Sequence, residues 1–439
     1  MQNPPADSAS NSRSSKYSLI GTLYLAQAIP LGFFITAMPV ILRSEGLPIE
    51  HVGLFSAIAF PWLLKFLWAP VVDKRRWPFA RGHYLSWILL LQGVAIVSVL
   101  VLATLNLRTQ LGLVVSVSTL FMLLSATQDI ATDGLSVRVL DDEERGPGNG
   151  IQVGGYYLGQ VLGGGLMLVL FAQLGWPTVF LAIAVLLALP IPWALRFREP
   201  GFREPGSREP GSREPASPGN TDNNGKHDPK ANHVGYGALR RFFTRPGTTL
   251  WVALLLLFRS GEAMATFSFN QLLVELGLDL ADIGFLAGMV YAVGALAGSL
   301  TGGALVPILG RRLAILIFAA AQSFAILAYL LPASGNSGLV TLAGALMLVA
   351  FAGGASTAAL YTVMMDASQN ETAGTDFTIQ QSLCAVGPVI GTGLSGFSVA
   401  AFGFGGHFLL CATLAGAAFF LALAQTLPSE RRDTASAVA

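Results

Sequence analysis

Five ionisable side chains stand inside otherwise apolar sequence: Lys65, Asp129, Asp133, Arg259 and Glu262. A charge at the centre of a bilayer costs roughly 2.5–3.5 kcal/mol on insertion scales, so each needs a partner or a water-lined cavity. Asp129 and Asp133 lie four apart in "LLSATQDIATDGLSVRVL", on one helix face. Two carboxylates one turn apart repel unless a cation sits between them or one is protonated. Lys65, two turns before Asp73, together with Arg138 and the basic residues after Asp73, supplies cations at a similar depth. The favoured reading is a charge latch at a cytoplasmic gate, with proton carriage or substrate contact as the alternative.

Arg259 and Glu262 are three apart and share a face. Arg259 stands about 16 Å along a helix that starts near Thr248, close to mid-bilayer. The pair is either a structural ion pair or, as favoured, a coupling site. There Arg259 draws an anionic substrate group and Glu262 carries a proton. Asn270 and Gln271 extend the polar character of the same helix. Gln27 in "YLAQAIPLGFF", Tyr156 and Gln160 at helical spacing, and Gln380 complete the expected substrate and coupling set. The expected gate set is Lys65, Asp73, Lys74, Asp129, Asp133, Arg138, Arg311, Arg312 and Asp376. Asp376 also reads as a helix N-cap at the membrane edge.

Nothing in the sequence assembles a catalytic or metal centre. The histidines His51, His83, His227, His233 and His407 are read as lying in loops or at span edges, with no ligand spacing. There is no phosphate-binding loop, and "GNGIQVGG" lies in a membrane segment, where dinucleotide binding has no place. Cys384 and Cys411 sit in apolar runs, which argues against a disulfide or zinc site. No enzyme activity, cofactor or metal is expected.

The elements that must hold these side chains follow from composition. The 439 residues are 53% hydrophobic and 12% charged, about half the charge of a typical soluble domain. A net charge of +1 gives no footprint for a nucleic-acid partner. Twelve stretches are apolar enough to cross a bilayer, centred near residues 30, 61, 94, 120, 161, 186, 261, 295, 322, 351, 389 and 416. They are numbered here as spans one to twelve. Lys and Arg crowd alternate connections, while the opposite side receives only Arg43 and Arg108. The positive-inside rule therefore puts both termini in the cytoplasm.

The expected domains are a tail over 1–16, a six-helix bundle over 17–196, a linker over 197–247, a second bundle over 248–427 and a tail over 428–439. The linker carries a short Arg-Glu-Pro-Gly repeat, a composition with nothing apolar to bury. The halves echo one another: "LGQVLGGGL" (158–166) matches "VGPVIGTGL" (386–394) in glycine placement, in the fifth span of each half. Parallel repeats of this kind are a transporter design with the substrate near the midplane. The glycines are read mainly as close-packing positions.

Six plus six spans with "APVVDKRR" and "GRR" in corresponding loops resemble the major facilitator superfamily. Ala69 and Pro70 stand near the Gly expected in that family's loop motif, and "WPFA" interrupts its basic cluster. "LLKFLWAPVVDK" and "ATQDIATDG…ERGPGNGIQVGGYYLG" look like the branch of muropeptide permeases and acetyl-coenzyme A transporters. "LYTVMMDASQNETAGTDFTIQQS" (360–382) looks like its siderophore permeases, of the kind that import rhizobactin- and pyochelin-type compounds. Muropeptide permeases usually carry two further spans, for which this chain has no room. The resemblance implies an all-α membrane protein of twelve transmembrane helices in two pseudo-repeated bundles. It implies a proton-coupled, alternating-access permease, expected as a monomer in a bacterial inner membrane. A siderophore is the leading substrate, and a muropeptide or acyl-coenzyme A the alternative. A membrane receptor or membrane enzyme is the contrasting class.

Overall fold

The computed structural model describes residues 12–47, 55–75, 82–200 and 235–425, and their regular structure is entirely helical. His51, Arg76, Arg81, His227, His233, Arg431, Arg432, most of the 197–247 linker and the 428–439 tail lie outside the described residues. Among the described residues, ten helices are long and apolar enough to cross a membrane. Two further crossings come from irregular segments. Span two is the short apolar helix Ala57–Leu67 continued by Ala69–Lys74. Spans eleven and twelve share the helix Ala373–Ala424, which turns at Gly403, where φ is 66° and a side chain would be strained. These elements make the all-α, twelve-span membrane architecture that the sequence leads one to expect.

Local sequence decides where the helices bend. Pro61 and Pro70 each remove a backbone donor from span two, and the chain tightens into a 3₁₀ turn over Lys65–Leu67. Lys65 is therefore carried by an interrupted helix. Span seven runs from Thr248 to Glu275 and breaks at Arg259, which ends one helical segment and starts the next. Span one stays unbroken despite its proline. Pro30 lies inside Arg13–Gly32, and the helix continues through one wide turn at Phe33–Ala37 to Ser44.

The repeat is visible in packing. Gly159 and Gly163 of span five meet span one at Ala28 and Ile29, while Gly387 and Gly391 of span eleven meet span seven at Leu256 and Met264. A Cβ at any of the four would collide with the neighbouring helix, which is the close approach that small residues permit. Gly146 and Gly150 of span five press in the same way on Gly303 and Ser299 of span eight, across the junction of the halves. "GNGIQVGG" is a packing stripe.

The apolar core divides asymmetrically. At the ends bearing Lys16, Arg138 and Arg311 one cluster is continuous across both halves, joining Leu19, Tyr84 and Leu135 to Trp251, Met364 and Phe377. At the opposite ends two clusters stand apart. One belongs to the first half, around Phe33, Phe121 and Phe180, and the other to the second, around Phe269, Tyr329 and Phe408. With the positive-inside orientation, the halves are joined on the cytoplasmic side and parted on the outer side.

Candidate substrate cavity and inner gate

The parting opens a cavity of about 570 Å³ between the halves. Its outer rim includes Ile35, Phe60 and Val389, and its walls are largely aromatic, with Trp62, Tyr156, Tyr157 and Tyr361. Polar groups are few: Lys65, Asp129 and Gln152 from the first half, Arg259, Thr357, Gln381 and Ser382 from the second. An apolar enclosure with a few fixed polar groups is the usual form of a small-molecule site.

Lys65 joins the two acids of span four. Its Nζ donates to Asp129 Oδ2, lies 3.6 Å from Asp133 Oδ2 and donates to Gln381 Oε1 at 2.5 Å. Asp133 Oδ1 accepts from Tyr24 Oη at 2.6 Å and more weakly from Gln152 and Gln381. Lys65, Asp129 and Asp133 are 3%, 5% and 0% exposed. The acids therefore face protein and clasp a cation, but Lys65 and Asp129 belong to the cavity floor. The separation made above between a gate set and a coupling set does not describe their placement.

Arg259 and Glu262 form a looser pair, with Nη2–Oε2 at 3.8 Å. The Arg259 side chain is 28% exposed and reaches the cavity, whereas Glu262 is 3% exposed and is not among the lining residues. Glu262 Oε1 accepts from Tyr291 Oη at 2.6 Å. Arg259 Nε has no hydrogen-bond partner, and neither do the buried Trp62 Nε1 and Gln152 Oε1 on the same cavity. The arrangement presents a guanidinium with unused donors, backed by a carboxylate that other groups hold in place.

Below the floor, the cytoplasmic ends are closed by contacts between the halves. Asp73 accepts from the backbone N–H groups of Gly374 and Thr375 at 3.2 and 2.8 Å, and from Tyr84 Oη at 2.6 Å. A carboxylate of the first half thus caps the N-terminus of span eleven. Arg145 pairs with Asp366 at 2.7 Å, Arg311 joins the same carboxylate at 3.2 Å, and Arg311 also donates to the Asp142 carbonyl. Arg138 donates to the Asn370 carbonyl at 2.9 Å and pairs with Glu199 at 3.1 Å. Glu199 in turn accepts from the Tyr84 N–H. Burial raises the Glu199 carboxyl above the ordinary glutamate range, an effect that Arg138 opposes.

Several expected site residues are placed elsewhere. Gln380 spends its amide on Trp251 Nε1, Ser368 and the Met364 and Asp376 carbonyls, fully buried and away from the cavity. Gln381, one residue and about 100° further round the helix, is the one that lines it. Gln271 is exposed and Asn270 half-buried, both beyond the cavity. Gln27 donates to Thr132 within the first half. Gln160 packs against Gly32 of span one.

In the gate set, Arg312 donates to the Leu423 and Gln425 carbonyls, and Asp376 pairs with Arg245 and accepts from the Gln369 N–H. Neither contact joins the two six-helix halves. Lys74 is exposed. His407, expected in a loop or at a span edge, is buried in the last helix against Ser398. Tyr24, Tyr84, Asp366 and Glu199 were not singled out from sequence. A tyrosine gives no signal there until its hydroxyl partner is known, and Asp366 and Glu199 border loops, where acids are unremarkable.

A family model described as the Major Facilitator Superfamily matches residues 20–392 and 260–438. An anhydromuropeptide permease of Escherichia coli (strain K12) is 28% identical over 413 residues, covering 93% of this chain and 80% of its own. A protein of Rickettsia conorii described as a putative transporter AmpG 4 is 23% identical over 403 residues, covering 91% of this chain and 94% of its own. The crystal structure of a Major Facilitator Superfamily transporter, FucP, in the outward conformation superposes with a TM-score of 0.67 at 16% identity. It covers 93% of this chain and 99% of its own, and at that identity the likeness is one of fold.

Proposed function

The chain belongs to the Major Facilitator Superfamily, and we propose that it imports an anhydromuropeptide-type solute across a bacterial cytoplasmic membrane, driven by protons. It is a multi-pass membrane protein and a secondary transporter of small molecules, not an enzyme. The observation that carries the substrate reading is the cavity itself. One guanidinium with unused donors, Arg259, lines it together with six aromatic side chains. A muropeptide is a saccharide bearing a peptide with free carboxylates. The planar fork of an arginine matches a carboxylate in two hydrogen bonds, and the apolar faces of sugar rings pack on aromatic rings. The relatives described as anhydromuropeptide permeases support the same choice.

The siderophore expectation rested on "LYTVMMDASQNETAGTDFTIQQS". Asp366, Asn370, Gly374 and Thr375 of that segment engage the first half at the inner gate, and Asp376 pairs with Arg245. Only Tyr361, Gln381 and Ser382 of it reach the cavity. The segment therefore speaks for how the protein closes, and gives a siderophore little support.

In the transport reading, the solute enters from the outer side, its carboxylate meets Arg259, and the inner contacts release as the outer ends come together. Uptake of labelled anhydromuropeptide into proteoliposomes tests this. Saturable uptake that a protonophore abolishes and a ferric siderophore does not compete is expected. Uptake of the ferric siderophore with none of the muropeptide would reverse the assignment.

A further inference from the structure

We propose that the Lys65–Asp129–Asp133 cluster, and not Glu262, takes up the coupled proton, with one proton kept by the aspartate pair. Its role in transport rests on the reading above, whereas the charge argument stands without it.

The argument is a count of charges in a dry place. Among the described residues, Lys65 is the one cation paired with Asp129 and Asp133, and all three side chains are buried. The groups that face them from other elements are neutral: Tyr24 of span one, Gln152 of span five and Gln381 of span eleven. Tyr156 and Tyr361 on the cavity walls are neutral as well. The other cation on the cavity, Arg259, is matched by Glu262. With every group ionised, the cluster would carry one uncompensated negative charge. A dry site disfavours an uncompensated charge and pushes a carboxyl group without a cation of its own toward its neutral, protonated form. Keeping one proton is the lower-energy state.

The geometry shows where it fits. Asp129 is tightly engaged by Lys65, whereas Asp133 Oδ2 is buried and accepts no hydrogen bond. A proton on Asp133 Oδ2 leaves Lys65 paired with Asp129, as observed. Asp129 also lines the cavity, which gives the pair a route for protons from the outer side. In the proposed step a hydronium ion gives its proton to the aspartate pair, an O–H bond forms, and water remains. On the cytoplasmic side the O–H bond breaks and water takes the proton. Lys65 also donates to Gln381 of the other half, so the charge on the acids bears on a contact between the bundles. Arg259 and Glu262 form a neutral pair and have no such reason to take a proton.

Infrared difference spectroscopy on the purified full-length protein, near neutral pH and without substrate, tests the assignment. The wild type is expected to show the carbonyl stretch of a buried protonated carboxylic acid, shifted in heavy water. Either Asp129→Asn or Asp133→Asn makes the cluster neutral with no proton, so each single variant should lose that band, while Glu262→Gln should keep it. Other protonated acids cancel in the difference between wild type and variant. Retention of the band in either Asn variant, or its loss in Glu262→Gln, would overturn the proposal. Because no substrate is used, this outcome is independent of the uptake assay. Failed muropeptide uptake with the band behaving as expected would count only against the substrate.

Discussion

Span four sets two carboxylates against the single ammonium of Lys65, whereas span seven sets one carboxylate against the single guanidinium of Arg259. Residue types alone make these look like two versions of one device, acids and bases buried in a membrane. They differ in charge count and in what faces the cavity. The first group has an excess acid and presents the paired Lys65 and Asp129 at the floor. The second is balanced, hides its acid behind the cation and leaves guanidinium donors unused. Excess charge calls for a proton, and an exposed cation calls for an anion. On this account the two halves divide the work, the first coupling to protons and the second holding substrate.

Removing Lys65 is expected to have the largest effect. Lys65→Met leaves two buried acids with no cation, and losing one partner of a buried pair typically costs about 3–5 kcal/mol. Thermal unfolding in detergent should show a marked loss, largely recovered when Asp129→Asn and Asp133→Asn are added. Failure of that recovery would mean that the charge count does not govern this region.

Arg259→Ala should come next, acting on binding. Truncating one side of a buried charge contact costs about 2–5 kcal/mol, so affinity for an anionic muropeptide should fall thirtyfold or more by calorimetry. Arg259→Lys, which keeps the charge and loses the fork, should recover part of it. An analogue without carboxylates should bind wild type and Arg259→Ala alike.

Glu262→Gln sharpens the contrast in the opposite direction. Freeing the guanidinium from its carboxylate should tighten substrate binding by about 1 kcal/mol, discounted for the exposure of Arg259, roughly fivefold. Dependence of uptake on a pH gradient should persist, which proteoliposomes at several internal pH values would measure.

The smallest effect is expected at the inner gate. Asp73→Ala removes the cap from span eleven, a loss of about 1 kcal/mol, and should shift the population several-fold toward the inward-open form. Distances between spin labels on the cytoplasmic ends of spans two and eleven would read that shift.

Much of the architecture was legible because hydropathy and basic-residue bias respond to the bilayer directly. The five charged residues were legible for the same reason, since each violates an apolar run. Which face they take was not. Gln380 and Gln381 are adjacent in sequence, and only the rotation of span eleven decides that the second meets the cavity. The repeat carries part of this information. Spans four and ten are helices of equal length, Leu111–Val139 and Leu339–Ala367, 29 residues each. Asp129 and Thr357 take the same place in them, as do Asp133 and Tyr361, and Asp129, Thr357 and Tyr361 all line the cavity. The repeat thus places Asp129 beside the cavity. The inter-half capping by Asp73 depends on contacts between residues some 300 positions apart, which no local pattern encodes.

The most direct measurement compares gradient-driven accumulation with substrate exchange in proteoliposomes holding wild type or Asp133→Asn. Wild type should concentrate the muropeptide under an inward proton gradient. Asp133→Asn should still exchange internal for external substrate while failing to concentrate it. Accumulation by Asp133→Asn equal to that of wild type, under the same gradient, would contradict the account.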